Sequence, residues 1–147
     1  MQLIRGIHNL KRFQPELGVG DESSAESSTE SSAKPGAVVT VGAFDGLHRG
    51  HQFVLQHLVE TAKQRNAKSI VITLDPLPRE YFAPLLAPPR LMSFREKFEG
   101  LSALGIDYMF LVRFNDKLRN IEAFDFIERF FVKGLSMRHI VIGDDFR

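Results

Sequence analysis

The sequence predicts an α/β domain in which helices cover both faces of a parallel β-sheet. From residue 37 onward, β-branched segments alternate with segments of helical periodicity, which gives the order βαβαβαβ. The segment 69–74 (Ser-Ile-Val-Ile-Thr-Leu) is almost continuously apolar, as expected of a strand buried on both faces. Consecutive parallel strands joined by helices require right-handed crossovers, and these place helices on both sides of the sheet.

Four strands are expected in this alternating part of the chain. They cover residues 38–42, 69–74, 108–113 and 139–143. A short apolar start, residues 3–7, precedes them and is predicted to be an edge strand or a packed arm.

Three helices are expected between the strands. The first covers about residues 50–65 and ends at Asn66, a residue that tolerates the left-handed conformation. The second opens at Ser93 with Glu96 three residues later, a capping box, and ends at Gly105. The third covers about residues 122–133. Its apolar positions, predicted to be buried, are Phe124, Ile127, Phe130 and Phe131.

Length and composition limit the class of protein. A chain of 147 residues is sufficient for one globular domain with its own core. No apolar run approaches the roughly 20 residues that span a bilayer, and the amino terminus lacks the apolar region of a secretory signal. The chain has no cysteine, which excludes disulfides, zinc–thiolate sites and thiol nucleophiles. We therefore expect a cytoplasmic protein.

The segment 18–36 differs from the rest of the chain. It is rich in serine and acidic residues and has almost nothing to bury, so it is predicted to be a disordered surface insertion. A phosphorylated regulatory tract is the functional alternative. Without this segment the chain has 18 basic and 14 acidic residues, a net charge of +4. That balance suits an anionic small ligand such as a nucleotide and is too weak for a nucleic-acid surface.

The most informative segment follows the first predicted strand. Residues 42–51 read Gly-Ala-Phe-Asp-Gly-Leu-His-Arg-Gly-His, a glycine-rich turn that leads into a helix. A helix amino terminus offers free N–H groups and a positive dipole end, which suit phosphate. His48 and His51 lie three residues apart, so they share one side of the first turn and can hydrogen-bond to phosphoryl oxygens.

Two other interpretations of this segment remain open: a helix cap without a ligand and a metal-hydrolase site. The histidines can merely cap a helix while the glycines serve the turn, and Asp45 can hold the turn through its own backbone or orient a histidine. A metal-hydrolase site of Asp45, His48 and His51 is less favoured, because the spacing fits no common zinc helix motif.

Three segments converge at the carboxyl ends of the predicted strands, where ligands of such sheets bind. They are the turn 42–51, the loop 75–92 and the residues 143–147. The loop 75–92 holds five of the seven prolines together with Tyr81, Phe82 and Leu85, so it resembles a stiff flap with apolar anchors. A rigid connection that packs on the domain body is the alternative.

The pattern Gly-x-Phe-Asp-Gly-x-His-x-Gly-His resembles the HxGH motif of Rossmann-like nucleotidyltransferases. More narrowly, it resembles the FMN adenylyltransferase domain of bacterial bifunctional riboflavin kinase/FAD synthetases. The start Leu-Ile-Arg-Gly-Ile-His-Asn-Leu at 3–10, Pro-Leu-Pro at 76–78, Gly-Ile-Asp-Tyr at 105–108 and Gly-Asp-Asp-Phe-Arg at 143–147 follow in the family's order. The resemblance covers nearly the whole chain except the serine-rich segment.

The resemblance implies an enzyme that transfers AMP from ATP to FMN and gives FAD and pyrophosphate. It implies that His48 and His51 are catalytic and bind the ATP phosphates, and that Asp145 helps to hold Mg²⁺. The residues implied for the ATP side are Gly42, Phe44, Asp45 and Gly50. Those implied for the FMN side are Pro76, Pro78, Phe82 and Arg90. The expected partners are ATP and FMN, with no nucleic acid and no membrane.

The resemblance also implies that residues 1–147 are a partial domain. In the family, the signature Ile-Ser-Ser-Thr-x-(Ile/Val)-Arg and the riboflavin kinase domain lie downstream of the segment that corresponds to 143–147. We therefore expect a sheet that is incomplete at its carboxyl terminus and a chain that lacks the kinase domain. Two alternatives stay open: a non-catalytic remnant that at most binds nucleotide or flavin, and a cytidylyltransferase-type HxGH enzyme.

Overall fold

A computed structural model describes residues 1–14 and 36–143 of the chain. The segment 18–36 except Gly36, and the predicted metal ligand Asp145, lie outside the described residues. The strands are β1 (Gln2–Arg5), β2 (Ala37–Val41), β3 (Lys68–Asp75), β4 (Tyr108–Arg113) and β5 (Met137–Ile140). The helices are α1 (Leu10–Phe13), α2 (Arg49–Gln64), α3 (Pro78–Phe82), α4 (Phe94–Ala103), α5 (Asp116–Arg119) and α6 (Ala123–Phe126). A 3₁₀ turn (Ile7–Asn9) precedes α1, and a π-helix (Ile127–Gly134) continues α6.

The five strands form one parallel sheet in the order β1-β4-β3-β2-β5. This confirms the predicted Rossmann-like α/β class. The chain order reverses between β2 and β5, which makes that pair the topological switch point, and the crevice beyond the carboxyl ends of the two strands is where such sheets bind ligands. The predicted edge strand at the amino terminus is confirmed as β1, which pairs with β4.

The helices cover both faces of the sheet, as predicted. On one face Val38 belongs to a cluster with Leu55 of α2 and Leu101 of α4. On the other face the neighbouring Val39 packs in a second cluster that includes Phe131 of the π-helix. Since successive strand residues point to opposite faces, the near-continuous apolar run of a parallel strand fills two cores at once.

The ends of two predicted helices are confirmed. Asn66, directly after α2, has a φ of 50°, in the left-handed region. At α4, the Ser93 hydroxyl accepts a hydrogen bond from the Glu96 N–H at 3.2 Å, and the Glu96 carboxylate accepts one from the Ser93 N–H at 2.6 Å. These reciprocal bonds fix the position at which α4 begins.

The predicted burial of the third helix is partly wrong. Phe130 and Phe131 are buried, but Phe124 is 73% exposed and Ile127 is 41% exposed. The helix is α-helical only over Ala123–Phe126 and then becomes a π-helix. Because a π-helix forms i→i+5 hydrogen bonds, its apolar face recurs more slowly than the 3.6-residue period assumed from the sequence.

The last strand begins and ends earlier than predicted. It covers Met137–Ile140 rather than 139–143, because Ala37 of β2 already donates a hydrogen bond to the Ser136 carbonyl at 2.9 Å. The backbone pairing with β2 finishes with the bond from the Val141 N–H to the Val39 carbonyl at 2.8 Å. Within the ranges 1–14 and 36–143, none of the helices has the length and apolar character needed to cross a bilayer.

Candidate functional site

The turn between β2 and α2 lies at the switch point of the sheet. It begins where the Gly42 N–H donates to the Ile72 carbonyl of β3 at 3.0 Å. It then passes through three residues with positive φ: Phe44 at 49°, Gly46 at 84° and Leu47 at 40°. Phe44 and Leu47 hold a conformation that costs a non-glycine residue free energy, of the kind found at functional turns.

The Phe44 side chain anchors this turn in the core. It is 3% exposed and packs in the cluster that includes α2 and α4. A Cβ on Gly42 would lie 2.9 Å from the Phe44 ring, so glycine leaves the room that this ring needs. The ring also meets the His51 ring edge to face, at 5.3 Å between centroids. Phe44 thus supports the site from below.

The two histidines form a stacked pair at the start of α2. Their ring centroids are 3.7 Å apart and their planes differ by 20°. His48 is the N-cap residue, and its Nδ1 atom accepts a hydrogen bond from the His51 backbone N–H at 3.3 Å. A Cβ on Gly50 would lie 3.1 Å from Cε1 of His48, so glycine at this position lets the His48 ring fold back against the helix start.

These contacts favour one tautomer of a neutral His48 ring and shift the pKa of His51. Because Nδ1 of His48 accepts a hydrogen bond, the proton of a neutral His48 ring resides on Nε2, which can donate outward. Burial lowers the pKa of His51, and the neighbouring His48 lowers it further, so His51 is neutral near pH 7. Nδ1 of His51 is buried and has no hydrogen-bond partner within the described part of the chain.

A cavity of about 530 Å³ lies beside the turn. Its walls are the turn, the end of β3 and the segment 75–92, which we call the flap. Four of the predicted site residues line it: Gly42, Asp45, Pro78 and Arg90. A cavity of this volume is within the range of small-molecule sites.

Arg90, near the end of the flap, forms ion pairs with two acidic residues near its start. Its Nη2 atom lies 2.6 Å from Oδ1 of Asp75, and its Nε and Nη2 atoms lie 2.6 and 2.5 Å from the two carboxylate oxygens of Glu80. The Glu80 carboxylate also accepts a hydrogen bond from the Leu77 N–H at 2.8 Å. The hydrogen bond from Arg90 lowers the pKa of Glu80 to about 2. The pKa of Arg90 is raised in turn by its hydrogen bonds to Glu80 and Asp75.

The other predicted site residues in the described part of the chain do not line this cavity: Phe44, His48, Gly50, His51, Pro76 and Phe82. Phe82 is 59% exposed and belongs to an aromatic cluster with Tyr81 and Phe114. The Arg119 guanidinium lies 5.5 Å from the centre of the Phe82 ring, and the Tyr81 hydroxyl donates to Asp116. This cluster joins the flap helix α3 to the segment after β4.

Asp45 joins the turn to the flap. Its Oδ2 atom accepts a hydrogen bond from the Leu91 N–H at 2.7 Å, and its Oδ1 atom accepts one from the Met92 N–H at 3.0 Å. The carboxylate therefore bonds to the flap backbone, an interaction that was not expected from the sequence.

One buried cation was not predicted as a site residue. Lys97 of α4 is 6% exposed, and burial lowers its pKa. The signal in the sequence is a lysine four residues before Leu101, on the apolar side of a helix, where a solvated charge is unexpected.

Metal binding is not evident from these residues. Among residues 1–14 and 36–143, no group of three or more His, Cys, Asp and Glu side chains is placed to hold a metal ion. Mg²⁺ usually keeps several waters and bridges substrate phosphates through one or two carboxylates.

Comparison with known proteins shows the family. A family model described as FAD synthetase matches residues 30–147. The bifunctional riboflavin kinase/FMN adenylyltransferase of Escherichia coli (strain K12) is 40% identical over 147 residues, which are 100% of this chain and 41% of that protein. The protein of the same name from Pseudomonas fluorescens is 38% identical over 146 residues, 99% of this chain and 40% of that protein. The chain thus spans about two fifths of the length of these relatives.

A solved structure supports the fold alone. It is titled "Crystal Structure of Macrolide-efflux Protein from Streptococcus pneumoniae" and matches with a TM-score of 0.69 and 19% identity. The match covers 99% of this chain and 49% of that chain.

Proposed function

The chain belongs to the FAD synthetase family, and from that premise we propose that it transfers AMP from ATP to FMN, giving FAD and pyrophosphate. The observation that carries the proposal is the stacked pair His48 and His51 at the start of α2, on the turn whose residues Gly42 and Asp45 line the cavity. An imidazole pair and free helix N–H groups form a site for phosphoryl oxygens.

In the proposed reaction, a phosphate oxygen of FMN attacks the α-phosphorus of ATP in line. The bond from the α-phosphorus to the bridging oxygen breaks, and its electron pair leaves with pyrophosphate. Negative charge develops on the oxygens of the α-phosphoryl group, where Nε2–H of His48 and the first N–H groups of α2 can donate. No covalent enzyme intermediate is needed, because positioning and electrostatics supply the catalysis.

The two sides of the cavity receive different substrates in this proposal. The nucleotide side is the turn with the residues Gly42, Phe44, Asp45 and Gly50. Gly42 and Asp45 line the cavity, whereas Phe44 packs beneath the turn and Gly50 leaves room for the His48 ring. The flavin side is the flap, with the residues Pro76, Pro78, Phe82 and Arg90. Pro78 and Arg90 line the cavity, whereas Phe82 stands in the neighbouring aromatic cluster and requires a movement of the flap to reach a flavin.

Two further parts of the proposal concern Mg²⁺ and location. Mg²⁺ would neutralise charge on the ATP phosphates, and Asp145 is the residue proposed to help hold it. We propose the cytoplasm as the place of the reaction and ATP and FMN as the partners. It also stays a prediction that residues 1–147 form a partial FMN adenylyltransferase domain.

The test is FAD formation by this chain with ATP, Mg²⁺ and FMN, followed by chromatography. H48A and H51A should each lower the rate by about 10²–10³-fold, because each removes a donor or its support at the developing charge. H57A is the matched control, since His57 is an exposed histidine of α2, and it should keep the wild-type rate.

Three outcomes would contradict the proposal. A product formed from CTP but not from ATP would indicate a cytidylyltransferase. Calorimetric binding of FMN or ATP without any FAD would indicate a non-catalytic binding protein. Equal rates for H48A, H51A and H57A would show that the histidine pair is not the catalytic element.

A further inference from the structure

The end of the flap is held from two directions. On the turn side, both carboxylate oxygens of Asp45 accept hydrogen bonds from the consecutive N–H groups of Leu91 and Met92, at 2.7 and 3.0 Å. On the flap side, the preceding residue Arg90 is bonded to Glu80 and Asp75. One carboxylate that receives two backbone bonds fixes both position and direction of this short segment, because charge-assisted bonds are strong and directional.

Helix α4 packs against the turn between β2 and α2. It begins directly after Met92 with its capping box, so the flap end and the helix start are continuous. About two turns further along α4, Gly100 packs so closely on Leu47 of the turn that a Cβ there could not be accommodated without moving the Leu47 side chain. The turn, the flap end and α4 therefore meet in one place.

Lys97 is the buried charge at this meeting point. It lies on α4 between the capping box and Gly100, its side chain is 6% exposed, and among the described residues its ammonium group forms no ion pair within 4 Å. The charged and titratable groups that act on it are Asp45, Arg90, Asp75, Glu80 and His51. Arg90 pairs with Asp75 and Glu80, and Asp45 is the carboxylate whose charge acts most strongly on Lys97, where it opposes the lowering of the Lys97 pKa by burial. Removing part of an ammonium group from water is unfavourable unless a nearby anion compensates it.

We propose that Asp45 and Lys97 are positioning residues that lock the flap end onto the HxGH turn and so couple the two substrate sides of the cavity. Asp45 supplies the bonds to the flap backbone, and Lys97 supplies the positive charge that balances Asp45 inside the fold. The coupling of substrates rests on the proposed function, whereas the lock itself does not. If nucleotide binding orders the turn, the flap end is ordered with it, and FMN then binds with a smaller entropy loss.

The lock is tested without any ligand. Amide hydrogen exchange is measured by NMR at Leu91 and Met92 in the wild-type chain and in D45N, K97M and E99Q. Asn accepts only one of the two bonds, so D45N should raise exchange of at least one of these amides by about ten-fold or more. K97M should raise it less, and E99Q, which alters an exposed carboxylate of α4, should leave it unchanged.

The same exchange measurements include a result that would overturn the lock. Wild-type exchange rates at both amides in D45N, with β-strand amides such as that of Ile72 still protected, would overturn it. If D45N proves unable to fold, K97M answers the same question, and unchanged amides in K97M would remove Lys97 from the lock.

The coupling is tested by calorimetry. The affinity for FMN is measured in the presence and absence of a non-hydrolysable ATP analogue. The wild type and E99Q should bind FMN several-fold more tightly with the analogue, and D45N and K97M should lose this factor. If D45N and K97M bind FMN more weakly but still gain the same factor in affinity from the analogue, the two residues have a purely structural role and the coupling is overturned. If neither compound binds the wild type, the proposed function fails, and the exchange data still decide the lock.

Discussion

At the scale of single residues, the HxGH motif fixes the position of the His48 ring. His48 caps α2 through Nδ1, which directs its Nε2–H outward, and His51 stacks on it at 3.7 Å. The glycine between them leaves the space that the His48 ring occupies. Each position of the motif thus has a physical reason that does not require a bound ligand.

The variant G50A tests this placement. The added Cβ would lie 3.1 Å from the His48 ring and would displace it, so we expect FAD formation to fall by about 10- to 100-fold. The higher helix propensity of alanine, about 1 kcal/mol, is opposed by loss of the His48 cap, so the free energy of unfolding should change by about 1 kcal/mol or less. Steady-state rates and chemical denaturation measure the two effects. Wild-type activity in G50A would show that the close contact has no catalytic importance.

The pair Arg90 and Glu80 makes stability depend on pH. Arg90 lowers the pKa of Glu80 from its ordinary value of 4.5 to about 2. A lowered pKa means that the stabilisation is fully present above pH 4.5 and is lost as pH falls through about 2. Since both side chains are partly exposed, we expect E80Q to cost about 1–2 kcal/mol at pH 7.

Urea unfolding at several pH values measures this difference. The gap between the wild type and E80Q should close as pH falls from 4.5 toward 2, while E99Q should differ little from the wild type throughout. A gap that stays constant over that range would show that ionisation of Glu80 does not stabilise the flap.

At the scale of elements, helix geometry decides which apolar side chains reach the core. The change from α6 to a π-helix at Ile127 places Phe130 and Phe131 in the core and leaves Phe124 and Ile127 exposed. An α-helical period assigns all four to one buried face. The sequence supplies the apolar residues. Which of them share one face depends on whether the backbone forms α-helical or π-helical hydrogen bonds, and tertiary packing selects between the two.

Two phenylalanines of this element make a matched test. F131A removes a ring that is 3% exposed and in contact with Phe126, so we expect it to lower the free energy of unfolding by about 3–5 kcal/mol. F124A removes a ring that is 73% exposed and should change the free energy by about 0.5 kcal/mol or less. Thermal and chemical denaturation compare the two. Equal losses of unfolding free energy in the two variants would mean that both rings are buried, as the α-helical periodicity of the sequence predicts.

At the scale of the whole molecule, strand order places the site. The sheet order β1-β4-β3-β2-β5 reverses at β2, and the turn with the two histidines follows that strand. The flap follows β3, the neighbour of β2, so both segments reach the same crevice although more than twenty residues separate His51 from Asp75. The cavity between them is a consequence of this order.

Ligands should therefore stabilise the whole domain. With Mg²⁺ present, ATP at about 100 times its Kd should add about 2.7 kcal/mol to the free energy of unfolding, and FMN should add a comparable amount at the same ratio. Thermal shift measurements with ATP, CTP and FMN detect this, and chelation of Mg²⁺ should weaken the effect of ATP. A larger shift with CTP than with ATP would contradict the nucleotide assignment.

Much of the fold and part of the site could be predicted from local patterns. The strand at 108–113 was predicted with its observed ends, and the capping box at Ser93 and the stop at Asn66 were predicted as they occur. These features depend on neighbours in the chain, so the sequence carries them directly. The bonds of Asp45 to Leu91 and Met92 join residues 46 and 47 positions apart, and no local pattern predicts them.

By itself, the sequence determined the α/β class, the order of the main strands and helices and the family to which the chain belongs, while phosphate binding by the turn stays a prediction. Tertiary structure alone decided that Arg90 binds Glu80 and Asp75, that Phe82 stands outside the cavity, that Phe124 is exposed and that Lys97 is buried. The physical reason is that periodicity and motifs record interactions over one or two turns. The partner of a charge and the burial of a ring depend on which distant segments the sheet order brings together.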